Sequence, residues 1–304
     1  MPLEPSFALR AIVTGSHGFV GRALLERLAA DAVPLRLSST DWRDRVAAAD
    51  FRGATVFHLA ARSHDLSGTR EQFALDNEEK TRVLAQRAAS GGARRFVFLS
   101  TIKVLGEETG ATPFRASDEP RPQDEYARSK HAAECAVREI AGAIGWTIVR
   151  SPLVVGPHVR GNLRSLLRLA DSPWPLPLGA IDNRRTLVQV DDLAALLCLC
   201  AQSPQAQRRV FLAGDAEAIS TTRLVESLRR AFGRPARLVR IAPQWLECLA
   251  AMTGSSKRVR RLTRSLEVDA SEARELLGWR SAIGVERGLA EMASAYRAER
   301  AGTT

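Results

Sequence analysis

The segment Ala11-Ile12-Val13-Thr14-Gly15-Ser16-His17-Gly18-Phe19-Val20-Gly21, running on into Arg22-Ala23-Leu24-Leu25-Glu26-Arg27-Leu28, limits the fold more than any other part of the chain. It reads as an apolar strand, a turn with three spaced glycines, and a helix. That order suits the pyrophosphate of a dinucleotide. Gly15 permits the tight turn, Gly18 lets the backbone approach the phosphates, and Gly21 lets the helix sit close on the strand, so that the helix N-terminus faces the anion. Glycines also punctuate ordinary loops, so a plain strand-turn-helix corner is the competing reading; the strand before and the helix after the turn favour nucleotide binding.

A second signal lies about a hundred residues further on. Phe96-Val97-Phe98-Leu99 ends in Ser100-Thr101, and Tyr126-Ala127-Arg128-Ser129-Lys130 follows. If a helix opens near Tyr126, the four-residue spacing puts the phenol and the ammonium on one face, one turn apart. A nearby ammonium favours the phenolate, and an oxidised nicotinamide ring is also cationic, so the two charges together are expected to lower the Tyr126 pKa toward a range useful for proton transfer. Thr101, or Ser100 beside it, would leave the C-terminal end of a central strand, where open α/β sheets place their ligands, and could hydrogen-bond a reacting oxygen. Tyr-x-x-x-Lys alone is a common accident on a helix surface. The glycine turn before it and the strand ending in Ser-Thr make Thr101, Tyr126 and Lys130 a catalytic set.

Strand and helix patterns alternate as a doubly wound domain requires. Strands are expected near 10–14, 33–38, 54–59, 95–100 and 146–150, with helices near 19–30, 69–90 and 126–144 between them. From about residue 151 the prolines at 152, 157, 173, 175 and 177 break up regular structure, and shorter segments follow. The fold expected is α/β, a Rossmann-like doubly wound parallel sheet over 1–155, with a smaller substrate-binding lobe made mainly from 156–304 and later segments crossing back.

These motifs resemble the extended short-chain dehydrogenases/reductases of the nucleotide-sugar epimerase/dehydratase family. The likeness spans nearly the whole chain. It is carried by the glycine turn, Phe57-His58-Leu59-Ala60-Ala61, Asp76-Asn77, the stretch from Phe96 to Glu107, the Tyr126-to-Lys130 motif, Arg150 to Pro157, and Asn183 to Leu193. Bacterial surface-polysaccharide enzymes of this family resemble it most. They include UDP-sugar 4-epimerases and 4-reductases of UDP-4-keto-6-deoxy-N-acetylhexosamines.

The resemblance implies a cofactor site lined by Gly15, Gly18, Phe19, Val20 and Gly21, by Asp41-Trp42 on the adenine side, by Leu59, Ala60 and Ala61, by Asn77 and Ser100, and by Tyr126, Lys130 and Pro152. On the substrate side it implies Thr101, Asn162 and the diphosphate-binding Arg185. It also implies a UDP-sugar substrate, a homodimer, and a strand between the second and third strands that has been trimmed from the interior. Leu153 departs from a common epimerase asparagine, and Leu105 and Val155 from common tyrosines. Ile102-Lys103 stands where the 4,6-dehydratases carry Asp-Glu, which argues against dehydration.

Cofactor choice turns on the end of the second strand. A carboxylate there would bind the adenosine ribose and favour NAD, but the chain offers Leu37-Ser38-Ser39-Thr40. Ser38 and Ser39, with Arg36, Arg43 or Arg45 nearby, leave both NAD and NADP open. The reaction expected is therefore NAD(P)-dependent oxidoreduction at sugar C4. Reduction of a 4-keto sugar is slightly favoured, 4-epimerisation is the alternative, and a nucleotide-binding sensor that has lost turnover is the competing class.

Composition excludes other classes. The 304-residue chain is 45% hydrophobic and 26% charged, ordinary for a globular protein. Its longest uncharged apolar run, Leu193 to Ala201, is too short to cross a bilayer. With no leader pattern at the N-terminus, a cytoplasmic location and no membrane partner are expected. The net charge of +10 comes almost wholly from scattered arginines without a nucleic-acid motif, so nucleic acid is not an expected partner. The densest basic run, Lys257-Arg258-Val259-Arg260-Arg261 with Arg264, reads as a solvated face rather than a phosphate contact. Cys135, Cys198, Cys200 and Cys248 lack metal spacing and read as small buried residues. The histidines at 17, 58, 64, 131 and 158 form no ligand constellation, so no metal site is expected.

Overall fold

The computed structural model describes residues 10–28, 32–63, 68–140, 143–159 and 161–301. His64 lies outside these residues. The first half is built from β1 (Ala11–Thr14), α1 (Phe19–Leu28), β2 (Ala32–Leu35), α2 (Trp42–Ala48), β3 (Thr55–His58), α3 (Arg70–Phe73), α4 (Lys80–Ser90), β4 (Arg95–Thr101), α5 (Glu125–Glu139) and β5 (Gly145–Ser151). The second half contains β6 (Leu153–Val155), α6 (Gly161–Ala170), β7 (Leu187–Gln189), α7 (Val190–Gln202), β8 (Arg209–Leu212), α8 (Thr221–Ala231), α9 (Pro243–Met252), α10 (Ser256–Thr263), α11 (Ser271–Leu277) and α12 (Val285–Ala301).

Six of these strands form one parallel sheet in the order β2-β1-β3-β4-β5-β8. Side chains alternate between its two faces, as a strand's period of two requires. Val13, Phe57, Val97 and Val149 point to the layer made by α1 and α7, where Leu24, Leu193 and Leu197 pack. Ile12, Val56, Phe96, Phe98 and Ile148 point to the opposite layer, with Leu84 of α4 and Val137 of α5. Burial on both faces explains why the central strands read as continuous apolar runs rather than alternating ones.

Several sequence expectations need correcting. β2 covers 32–35 and is the sheet edge, where the missing amide of Pro34 costs no central ladder bond. Since β1 pairs directly with both β2 and β3, any trimmed strand lay outside β2 rather than inside the sheet. The short helix α2 fills the connection and was not expected; its buried Trp42 and Val46 hold it on the sheet. The helix expected over 69–90 is α3 and α4 joined by a π-helical turn at Ala74–Glu79. The helix expected over 126–144 stops at Glu139, where Ile140 leaves helical geometry. Cys135 and Cys248 are exposed on outer helix faces, not buried.

The remaining elements build a smaller lobe. β6 and β7 pair in parallel, and α6, α8 and α12 close over them with Leu163, Leu167, Leu224, Leu228 and Leu289 buried between. The chain then returns to the large sheet through α7 and β8. Asp192, in the first turn of α7, staples the return. Its carboxylate accepts from the Ser281 hydroxyl at 2.7 Å and from the amides of Ala282 at 2.9 Å and Gly284 at 3.0 Å, while its carbonyl accepts from Trp279 Nε1 at 2.9 Å. Removing this acceptor leaves buried donors unsatisfied. Asp192→Ala is expected to cost about 3 kcal/mol in urea unfolding; a cost below about 1 kcal/mol would mean that the staple is replaced by water.

Candidate active site

The strand order reverses between β1 and β3, and open α/β sheets bind ligands at the carboxyl ends of strands at such a point. Here the glycine turn lies against the end of β3. Gly15 has φ +71°, and a Cβ on it would fall 2.6 Å from the Ala60 amide nitrogen. A Cβ on Gly21 would strike the Gly15 carbonyl oxygen. Both positions therefore require glycine, which lets the turn pack closely on the end of β3 and on the start of α1, whose Phe19 and Val20 are half-buried. This backbone cradle fits a dinucleotide pyrophosphate.

The floor of the crevice is pinned by buried polar contacts. Thr14 Oγ1 lies 2.6 Å from His58 Nδ1 and accepts from the Ala60 amide at 3.2 Å, while His58 Nε2 lies 2.8 Å from Thr81 Oγ1. Burial and the neighbouring Lys130 charge push the His58 pKa down to about 3, so the ring is neutral and one nitrogen donates while the other accepts. Asn77, in the π-helical turn, donates to the Arg62 carbonyl at 3.1 Å and to Ser129 Oγ at 2.9 Å, and it accepts from the Arg62 amide at 2.7 Å. It thus joins the segment after β3 to α5. Leu59 and Ala60 are half-buried beside it and Ala61 is exposed.

At the adenosine end, Asp41 is paired with Arg45 at 2.9 Å, which with Ser39 holds its carboxyl at about 2. Arg43 lies over the Trp42 ring and pairs with Glu79. Ser38 is exposed, and no carboxylate stands at the end of β2. Two of the three arginines near this end are thus engaged with carboxylates.

Thr101, Tyr126 and Lys130 are brought together where β4 meets α5. Asp124 caps α5 by accepting from the Ala127 amide at 2.7 Å, which fixes where the helix starts and so where Tyr126 points. The Thr101 hydroxyl accepts from the Lys103 amide at 3.3 Å and hydrogen-bonds the Tyr126 phenol. Lys130 Nζ donates to the Leu99 carbonyl at 2.8 Å and lies 4.0 Å above the Phe98 ring.

The electrostatics of the protein alone oppose charge on both Tyr126 and Lys130. Tyr126 is partly exposed, but the protein packed around it pushes its pKa up to about 12, against a lowering contribution from Thr101. Burial likewise pushes Lys130 down to about 7, although Glu134 favours its charge. In the protein alone, then, desolvation outweighs the Thr101 contact at Tyr126 and the Glu134 charge at Lys130.

Sequence reasoning missed the carboxylate behind this pair. Glu134 lies one turn past Lys130 on the same face of α5. Its Oε1 accepts from Ser100 Oγ at 2.6 Å and Arg150 Nε at 3.0 Å, and its Oε2 from an Arg150 terminal nitrogen at 2.7 Å. The signal was present as Tyr126, Lys130 and Glu134 at i, i+4 and i+8, with Arg150 ending an apolar strand. Lys103 was also missed: its ammonium bridges Glu107 at 2.7 Å and Asp124 at 2.6 Å. Burial alone would raise the Asp124 pKa, but the Lys103 and Ala127 hydrogen bonds bring it below the usual range.

The residues read as substrate contacts are less gathered. Pro152 is buried just past β5, and Asn162 is exposed in the first turn of α6. Arg185 donates to the carbonyls of Arg261 at 2.8 Å and Arg264 at 3.1 Å, and burial lowers its pKa. The basic run on α10 is more than a solvated face. Arg260 pairs with Glu108 at 3.1 Å, tying the small lobe to the loop after β4, and Arg264, just past α10, pairs with Glu247 of α9 at 2.8 Å. Among the described residues no cluster of His, Cys, Asp and Glu could hold a metal ion, and no helix is long and apolar enough to cross a membrane.

Residues 11–214 match the model of the NAD dependent epimerase/dehydratase family. The chain belongs to this family. Its cofactor is accordingly a nicotinamide dinucleotide. A UDP-glucose 4-epimerase of Vibrio cholerae is 33% identical over 94% of each chain. Among solved structures, the fold is shared with a UDP-glucose 4-epimerase of Thermotoga maritima (TM-score 0.76, 20% identity, 95% of this chain and 99% of that one). It is also shared with a dTDP-glucose 4,6-dehydratase of Streptomyces venezuelae (TM-score 0.78, 21% identity, 97% and 98%).

The low pKa of Lys130 has a consequence for stability. Its native value, about 7, lies below the ordinary 10.5, so between these values the unfolded chain binds more protons and stability rises with pH. The cost of burying the ammonium is fully present below about pH 7 and shrinks above it. Lys130→Met is therefore expected to raise the urea midpoint, and by more near pH 6 than near pH 9. A midpoint lowered at both values would show that the Leu99 and Phe98 contacts outweigh desolvation.

Proposed function

We propose that the protein is an NAD(P)-dependent 4-epimerase acting on a UDP-hexose or UDP-N-acetylhexosamine. The observation that carries this reading is the hydrogen-bonded pair Thr101 and Tyr126 at the carboxyl end of β4, with Lys130 one turn along α5. In this reading Thr101 orients the sugar 4-hydroxyl, Tyr126 removes its proton as the C4 hydride leaves, and once the 4-keto sugar has turned over Tyr126 returns the proton as hydride comes back to the opposite face of C4. Lys130 would hold the cofactor's nicotinamide ribose through its ammonium. When bound, the nicotinamide would supply the hydride acceptor and, in its oxidised form, a positive charge opposing the desolvation that raises the phenol's pKa in the protein alone.

Gly15, Gly18, Phe19, Val20 and Gly21 would bind the pyrophosphate, and Ser38, Ser39, Asp41 and Trp42 the adenosine. Leu59, Ala60, Ala61, Asn77, Ser100 and Pro152 would line the rest of the cofactor site, with Asn162 and Arg185 on the sugar diphosphate. For Arg185, desolvation makes a bidentate phosphate contact more favourable than at the surface. The near-complete alignment with the Vibrio cholerae enzyme supports epimerisation. Ile102-Lys103 argues against dehydration, since Lys103 is committed to Glu107 and Asp124 and no carboxylic acid stands beside Thr101.

One observation favours a second reading. The hydroxyls of Ser38 and Ser39, where a ribose-binding carboxylate would select NAD, suit a 4-ketoreductase that takes up NADPH and releases NADP. The two reactions separate in one assay. An epimerase interconverts the two C4 epimers of its UDP-sugar without net change in nicotinamide absorbance; a reductase oxidises NADPH stoichiometrically with a UDP-4-keto sugar and leaves 4-hydroxy sugars untouched. Tyr126→Phe is expected to lower kcat about 100-fold or more in either case. Full activity in that variant would overturn the assignment of Tyr126 and favour a non-catalytic role for the fold.

A further inference from the structure

Large apolar side chains that stand exposed are unevenly placed. Of the eight among the described residues, five fall on two adjoining segments of the small lobe: Trp174, Val239, Trp245, Leu249 and Met252. The stretch after Trp174 hydrogen-bonds along 237–239, with the Leu176 amide donating to the Arg237 carbonyl and the Val239 amide to that of Leu176. α9 begins four residues later. Its Leu246 packs into the same apolar cluster as Leu176 and Leu238.

α9 is apolar on both sides. Leu246 and Ala250 face inward, whereas Trp245, Leu249 and Met252, at i, i+4 and i+7, form an outer stripe 63%, 59% and 85% exposed. The exposed Cys248 joins this stripe. A surface helix of a water-facing protein normally turns polar residues outward, so a stripe this exposed marks an interaction surface.

The charge around the stripe indicates what covers it. Exposed Arg237 and Arg240 lie on the approach to α9. α10, packed against α9, has the sequence Ser-Lys-Arg-Val-Arg-Arg-Leu-Thr with no acidic residue. The whole chain carries +10. A tryptophan, leucine and methionine face preceded by two exposed arginines and followed by a basic helix, although Glu247 of α9 pairs with Arg264, is similar in composition to helices that lie in a membrane interface, with aromatic rings at headgroup level and cations on lipid phosphates. A ten-residue helix is about 15 Å long, which suits lying on a bilayer and rules out spanning one. The position is apt as well: the carbonyls of Arg261 and Arg264, at the end of α10, are those that hold Arg185.

We propose that the α9–α10 segment docks the protein peripherally on an anionic phospholipid surface, with Trp245, Leu249 and Met252 entering the interface and Arg237 and Arg240 meeting lipid phosphates. This docking is independent of which C4 reaction the site performs.

Sedimentation with vesicles tests it. The wild-type protein is expected to sediment with phosphatidylcholine vesicles containing about one-third phosphatidylglycerol, to bind pure phosphatidylcholine weakly, and to be released by salt. Trp245→Glu combined with Met252→Glu is expected to reduce binding about tenfold at equal lipid, with far-UV spectrum and thermal midpoint unchanged. Arg237→Glu with Arg240→Glu should weaken binding to the anionic vesicles alone, which gives a second, independent variant. The proposal fails if wild type does not sediment with the anionic vesicles, or if both double variants bind as wild type does. It also fails if the lipid-free protein is a dimer that Trp245→Glu dissociates, because a second copy would then cover the stripe.

Discussion

A carboxylate and a guanidinium, Glu134 and Arg150, meet where β4, β5 and α5 converge, and both are almost wholly withdrawn from solvent. An ion pair in that position is stable only if its geometry is good and its remaining lone pairs are satisfied. Here Arg150 binds through two nitrogens and Ser100 supplies a third hydrogen bond. The pair thereby fixes the register of one helix against two strands. Ser100 is the neighbour of Thr101, and Lys130 and Tyr126 lie one and two turns from Glu134 along α5. The three side chains of the proposed chemistry inherit their relative positions from an interaction that takes no part in it.

The proposed chemistry is held at a cost in desolvation. Lys130 is carried into the protein next to an aromatic face and a carbonyl, Tyr126 into surroundings that oppose its ionisation, and His58 into a site where it stays neutral. Each arrangement disfavours charge in the protein alone. Such opposition is typical of sites whose ligand brings the missing charge, and the large α/β core supplies the stability that offsets it. The glycine turn adds a steric constraint, since Gly15 packs directly on the Leu59–Ala60 backbone and Gly21 on the Gly15 carbonyl, leaving no room for a side chain at either position.

Much of this was legible in the sequence because it depends on local pattern. The glycine turn, the apolar central strands and the Tyr126–Lys130 spacing each express a rule of period or turn geometry that holds without the rest of the chain. Residues whose roles depend on distant partners were not legible. Glu134 has the helical spacing of a site residue, but its function appears only once Arg150 and Ser100 arrive from two strands. Lys103 reads as a departure from the dehydratase pattern until Asp124 and Glu107 close around it. The upward Tyr126 shift of the protein alone was not legible either, because spacing gives proximity to Lys130 but not the burial around the phenol. The π-helical turn carrying Asn77 reads as uninterrupted helix, and the edge position of β2 follows from pairing that no local pattern reveals. In the small lobe, α9 is apolar by composition, and only its placement on the surface makes that composition informative.

The most direct test of the account follows a label at the sugar's C4. If Tyr126 handles the hydroxyl proton while the carbon-bound hydrogen moves as hydride within a closed site, a UDP-sugar carrying deuterium at C4 should give an epimer that keeps the deuterium at C4, in ordinary water. Loss of the label to solvent would mean that the carbon-bound hydrogen leaves as a proton, and it would contradict the roles given to Thr101, Tyr126 and Lys130.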